Sequence, residues 1–166
     1  MFELKPLSEE GAEAALRKAE HYRNLNEPWQ AESICLDILH IQPDHQRALI
    51  VLLLALTDQF GSERSADVAE ARALLTRLRG EYERTYYAGI ICERRASALL
   101  ERGTSGAGPI IYDWFRQAMD WYEKAEDLRP AGNDDALLRW NACARTIMKH
   151  ERVRPAAEER ATLGLE

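Results

Sequence analysis

The chain has 166 residues, of which 46% are hydrophobic and 30% charged, a composition typical of one soluble globular domain and too apolar for intrinsic disorder. Its formal net charge of −6 repels polyanions, so we expect no nucleic-acid partner. The N-terminus has no apolar stretch behind a basic start, and no run approaches the roughly 20 apolar residues of a membrane span, which together predict a cytoplasmic protein with no membrane partner.

Helix-forming residues dominate the chain, and strand signals are nearly absent apart from residues 51–56. Ser8 and Asp44 are suited to cap helices, and Pro28 is suited to open one. Caps, glycines and prolines divide the chain into seven predicted helices, at about 8–24, 28–42, 45–60, 66–79, 80–102, 110–128 and 134–149. The third is apolar on nearly every side, which predicts that neighbouring helices cover it on two faces.

Three segments between or after these helices lack helical signals. Turn residues at 61–65 break the chain, and the Gly-rich loop at 103–109 is the clearest interruption. Residues 151–166 are expected to form a weakly helical or frayed tail.

Three cysteines, Cys35, Cys92 and Cys143, are odd in number and far apart in the chain. Each lies in an apolar pattern of helical period, which is typical of reduced thiols that serve as small core residues. We therefore expect no disulfide framework.

A spacing of small residues, an aromatic residue and a proline recurs along the chain. Two segments share steps of four, three and five residues, namely Ala31, Cys35, Ile38 and Pro43, and then Ala118, Tyr122, Ala125 and Pro130. Small residues let paired helices approach closely, an aromatic ring fills the groove between them, and proline ends the helix. The segment 118–130 strongly resembles the second helix of a tetratricopeptide repeat with its terminating proline.

The resemblance covers about residues 12–150, as three helical pairs and a closing helix, with the middle repeats degenerate. It implies an all-α, right-handed solenoid of helical hairpins over residues 1–150, followed by the tail 151–166. A closing helix with a polar outer face is what such a stack needs for solubility. Because Gly89 and Ala118 lie 29 residues apart rather than 12, we expect long fifth and sixth helices and a projecting loop between them.

The resemblance also implies a function, that of a non-enzymatic scaffold or adaptor that binds a peptide or a partner protein in its concave groove. The first helix of each pair lines that groove. On the fifth and seventh predicted helices the candidate binding residues are Tyr86, Tyr87, Arg94, Arg139, Asn141 and Arg145. Asn141 and Arg145, at i and i+4, share a face and suit a peptide backbone or carboxylate. The alternative is that the arginines are solvated and the aromatic residues belong to the core.

Two further interpretations concern partners. The carboxylate clamp of some family members is not expected, because Leu16 and Glu20 stand where Lys and Asn would be needed. On the sixth predicted helix, Trp114 and Trp121 share a face, and Trp121 is a candidate partner contact. The alternative function is therefore a structural subunit of an assembly or homo-oligomer that uses this helix and the Gly-rich loop.

The sequence carries no motif for catalysis, a cofactor or a metal. The 103–109 loop lacks the Gly-Lys-Ser/Thr and the preceding strand of a phosphate-binding loop. The four histidines and three cysteines complete no four-ligand set, and the carboxylates follow the pattern of solvated helix faces. We expect no catalytic residue, no cofactor-binding residue and no metal ligand, and hence a protein that is not an enzyme.

Overall fold

The computed structural model describes residues 1–62 and 68–157, and in these ranges it contains helices and no strand. A short 3-10 helix, Glu9–Gly11, precedes seven α-helices: α1 Ala12–Asn24, α2 Pro28–Ile41, α3 Gln46–Thr57, α4 Val68–Leu75, α5 Glu81–Arg102, α6 Gly108–Leu128 and α7 Asp135–Lys149. The predicted all-α class is confirmed. None of these helices is both long enough and apolar enough to cross a bilayer.

The helix ends follow the predicted capping and breaking residues with one correction. Ser8 caps the 3-10 helix, where its hydroxyl accepts a hydrogen bond from the Gly11 amide at 3.2 Å, and α1 itself begins only at Ala12. Pro28 stands at the start of α2. The prediction that Asp44 caps the third helix is wrong. His45, one residue later, has the extended backbone of an N-cap, and its Nδ1 accepts from the Ala48 amide at 3.2 Å.

Other boundaries moved by a few residues. α6 begins at Gly108 instead of residue 110, and α4 ends at Leu75 instead of residue 79. Most of the predicted break at 61–65 and the predicted start of the fourth helix at residue 66 lie outside the described residues. The expected length of the fifth and sixth helices is confirmed, since α5 has 22 residues and α6 has 21.

The chain divides into two compact units, Met1–Arg79 and Gly80–Glu166. In the first unit, α2 packs on α1, α3 on both, and α4 on α3. As predicted, α3 is buried on several sides, with Leu49, Leu53 and Ala55 fully inaccessible. Polar contacts add to this packing: Arg23 of α1 pairs with Asp58 at 2.7 Å, just after α3.

In the second unit, α6 packs between α5 and α7. The recurring positions Ala118, Tyr122 and Ala125 are all fully buried on α6. Gly89 of α5 faces the Tyr122 ring so closely that a Cβ on this glycine would lie 2.6 Å from ring carbon Cε1. The sequence-based expectation of small residues beside an aromatic ring is therefore met in this helical pair.

The three cysteines are buried free thiols, as predicted.

Residues 150–156, beyond α7, are non-helical but fixed to the second unit. Val153 is fully buried, and the Arg152 guanidinium donates to the Leu100 carbonyl at 2.9 Å. Arg154 donates from Nη1 to the Ile147 carbonyl at 2.9 Å, which satisfies an acceptor at the end of α7. A Cβ on Gly108 would lie 1.9 Å from the Arg152 carbonyl oxygen, so the first residue of α6 has to be glycine.

The domain boundary at residue 150 and the solenoid arrangement stay predictions.

Candidate functional site

Tyrosine rings form a connected cluster on the second unit. Tyr82 and Tyr86 stack with their centroids 5.7 Å apart, as expected for positions i and i+4 of one helix face. Tyr87 meets Tyr86 edge-on at 5.0 Å, and Tyr122 of α6 lies 5.8 Å from Tyr86. Tyr122 is buried, whereas the three tyrosines of α5 are half-buried. We call Tyr82, Tyr86 and Tyr87 the tyrosine face.

A buried carboxylate holds the three helices of this unit together beneath the tyrosine face. Glu93 of α5 is only 8% exposed. Its Oε2 accepts a hydrogen bond from the Tyr122 hydroxyl at 2.5 Å, and its Oε1 lies 2.9 Å from Nη2 of Arg139 on α7. The charge is thereby compensated by one cation and one neutral donor, as buried charges require.

Burial keeps Tyr86, Tyr122 and the thiol of Cys143 protonated. Burial raises the pKa of Tyr86 to about 12. Burial and the Glu93 carboxylate raise the pKa of Tyr122 far above its usual range, and the same two causes raise that of the Cys143 thiol. At neutral pH the Tyr122 hydroxyl therefore stays protonated and donates its hydrogen bond. The Cys143 thiol also stays protonated and is a structural thiol without nucleophilic character.

Of the residues singled out from the sequence, Tyr86 contacts Tyr87 and Tyr122, and Arg139 pairs with the Glu93 carboxylate to which Tyr122 donates. Tyr86 lies seven residues before Glu93, so both face the same side of α5. Arg94 lies seven residues after Tyr87 and shares its side of the helix in the same way. These four predicted residues thus belong to one region of the second unit.

Asn141 and Arg145 lie elsewhere on α7. Helical geometry places them roughly 160° and 120° around the axis from Arg139. Neither makes a hydrogen bond or ion pair within the described part of the chain. Trp140, between them and Arg139, donates from its indole nitrogen to Glu123 of α6 at 2.9 Å. The predicted residues of α7 are therefore divided between two faces of this helix.

Trp121 forms a third, separate location. It is 36% exposed, and the Lys124 ammonium lies 4.6 Å from the centre of its ring. Because Glu123, two residues further along α6, contacts α7, Trp121 points roughly 160° away from that contact. It can meet a partner without involving the tyrosine face.

Two residues of the region were missed at the level of sequence. Glu93 and Tyr82 were not among the predicted site residues. A weak signal was available, because Tyr82, Tyr86, Gly89 and Glu93 follow each other at helical spacing. Nothing in that spacing indicates that Glu93 is buried, since its partners Tyr122 and Arg139 come from two later helices.

The first unit carries a shallow apolar cavity on the side of α1 and α2. Its volume is about 330 Å³, and it is lined by Leu7, Gly11, Ala14, Ala15, Lys18, Ile34 and Asp37. Three of the seven lining residues are glycine or alanine, and the charged groups are one lysine and one aspartate. The cavity offers room for an apolar side chain but no cluster of groups suited to chemistry.

No grouping suited to a metal ion occurs in residues 1–62 and 68–157, where no three His, Cys, Asp or Glu side chains come together for coordination. Comparison of the chain with family models, with curated proteins and with solved structures gave no match in any of the three.

Proposed function

We propose that the protein is a non-enzymatic scaffold that binds a segment of a partner protein on the tyrosine face of its second unit. The observation that carries this proposal is the half-buried cluster of Tyr82, Tyr86 and Tyr87. Tyrosine supplies a large amphipathic contact area at low cost in side-chain entropy, which is why it is enriched where proteins bind one another.

The setting of the cluster favours binding because the face is already held in place. The Glu93 carboxylate joins α5 to Tyr122 of α6 and to Arg139 of α7. A surface that is ordered before binding loses less entropy on association. Neighbouring helices pack in sequence within each unit, and the sequence resembles a tetratricopeptide repeat, which together support our proposal of a solenoid of this kind in a cytoplasmic protein.

The charges around the tyrosine face indicate the chemistry of the partner segment. Burial and the nearby carboxylates of Asp135 and Glu83 raise the pKa of Tyr82, against the opposing charge of Arg129, which is itself paired with Asp134. Acidic groups beside aromatic rings attract a cation electrostatically and offer it a ring face. We propose that the partner segment presents an arginine or lysine, together with an apolar side chain, to this face.

The test is a selection of random peptides displayed on phage against the full-length protein, followed by calorimetric titration of the selected sequences. We expect enrichment of basic peptides that bind Tyr86→Ala and Tyr82→Ala at least about tenfold more weakly, the equivalent of 1.4 kcal/mol. The matched control is Tyr112→Ala, which removes a half-buried tyrosine from α6. Equal affinity for wild type and both tyrosine-face variants would refute the proposal.

A second candidate function, that of a structural subunit, is favoured by Trp121, which is 36% exposed on α6. Exposed tryptophans are frequent anchors at protein interfaces. In this case the solution mass would exceed that of a monomer and would return to it in Trp121→Ala. A mass unchanged by this substitution would remove this candidate.

A further inference from the structure

The outward face of α7 exposes three large apolar side chains, where a closing helix would be expected to be polar. Leu138 is 60% exposed and Met148 is 68% exposed, and Leu137 is exposed as well. The opposite side of the helix carries Ala136 and Cys143, which are buried against the second unit. Exposed apolar side chains on one helix face are the kind of surface that an interface with another molecule buries.

Leu138 and Met148, together with two polar residues between them, have the spacing of a helix–helix seam. Leu138, Asn141, Arg145 and Met148 follow each other at steps of three, four and three residues and fall within an arc of roughly 80°. Asn141 is half-buried and Arg145 is exposed, so all four side chains are accessible. We call these four residues the outer seam.

We propose that a second copy of the protein covers the outer seam, with the α7 helices of the two copies packed antiparallel across a two-fold axis near residue 143. The steps of three, four and three residues are the same in either direction along the helix, so two antiparallel copies of the seam can align residue against residue. In this arrangement Leu138 of one copy packs on Met148 of the other. Asn141 of one copy then accepts a hydrogen bond from the Arg145 guanidinium of the other.

The charges of α7 select the antiparallel arrangement over the parallel one. A parallel pair would place each Arg145 and each Lys149 beside its own counterpart, and like charges repel. In the antiparallel pair, Asp135 at the start of α7 lies towards Lys149 at the basic end of the other helix. The helix dipoles also oppose each other favourably.

One helix pair buries less surface than a permanent dimer requires, so the association is expected to be weak and reversible. Sedimentation analysis of the full-length protein should therefore scan concentrations from about 1 μM to about 1 mM. We expect the average mass to rise towards twice 19.0 kDa. Leu138→Glu should hold the protein at the monomer mass over the whole range, because it places two carboxylates in the seam.

Matched substitutions separate this interface from other surfaces. Leu25→Glu changes an equally accessible leucine, 53% exposed at the end of α1, and should leave the dimer intact. Trp121→Ala should also leave it intact, which distinguishes the outer seam from an assembly through α6. A wild type that stays monomeric at every concentration, or a dimer that persists in Leu138→Glu, would overturn the proposal.

Engineered cysteines test the direction of the pair. In the antiparallel dimer, position 138 faces position 148 of the other copy. It lies roughly 15 Å, measured along the helix, from position 138 of the other copy. Leu138→Cys and Met148→Cys should therefore each fail to form a disulfide-linked dimer alone and should form one when mixed. The three native cysteines are buried, so wild type gives the background. Cross-linking of either variant with itself would refute the antiparallel arrangement.

Discussion

Removing one hydroxyl group from Tyr122 isolates the contribution of the Glu93 network. Tyr122→Phe keeps the ring against Gly89 and Tyr86 and deletes only the 2.5 Å hydrogen bond to the Glu93 carboxylate. Hydrogen bonds to charged groups contribute about 1.5–3 kcal/mol. Both groups are buried, and water has no access to replace the lost donor. We therefore expect the free energy of unfolding to fall by about 2 kcal/mol.

Urea unfolding followed by tryptophan fluorescence measures this change, because three of the four tryptophans, Trp114, Trp121 and Trp140, lie in the second unit. With a slope of about 1–3 kcal/mol/M, the midpoint should fall by roughly 1 M at unchanged slope. Tyr112→Phe is the matched control and should stay within about 0.5 kcal/mol of wild type. A Tyr122→Phe protein as stable as this control would refute the role given to the network.

The other stability predictions follow from single contacts. Gly89→Ala places a Cβ 2.6 Å from the Tyr122 ring, so we expect a loss of about 1–3 kcal/mol in urea unfolding that exceeds the roughly 1 kcal/mol gain in helix propensity; a more stable variant would contradict the close packing. The pKa of Tyr86 is raised from 10.0 to about 12, so above pH 10 the unfolded chain loses this proton before the folded protein does. Stability should therefore be complete below pH 10 and decline towards pH 12, less steeply in Tyr86→Phe, and equal slopes would contradict the assignment. Val153→Asp buries an unpaired charge and should cost several kcal/mol in thermal unfolding, whereas Ala156→Asp, at an exposed position, should cost little; equal effects would show that residue 153 is accessible.

Local signals in the sequence sufficed for the helices and for much of the packing. Turn residues and prolines placed the ends of α2 and α6 within a residue or two, because proline at positions 43 and 130 cannot continue a helix. The repeated spacing identified Ala118 and Tyr122 as buried, because residues at steps of three and four share one helix face.

The site was predictable only in part, because its central group depends on tertiary contacts. Glu93 lies among apolar residues of α5, but a charged side chain is buried only when partners are present. Its partners, Tyr122 and Arg139, belong to other helices, and no local pattern pairs them with it. The sequence grouped Arg139 with Asn141 and Arg145 by proximity along the chain, whereas helical geometry turns them to different faces of α7.

The most direct test of the proposed scaffold function is a nuclear magnetic resonance titration that observes ring carbons of the six tyrosines. A selected basic peptide would be added to full-length protein labelled on tyrosine, with signals assigned by single Tyr→Phe variants. The proposal predicts that saturable shifts concentrate on Tyr82, Tyr86 and Tyr87, while Tyr22 and Tyr112 stay unchanged. Saturable binding that leaves the three rings of the tyrosine face unshifted would contradict it.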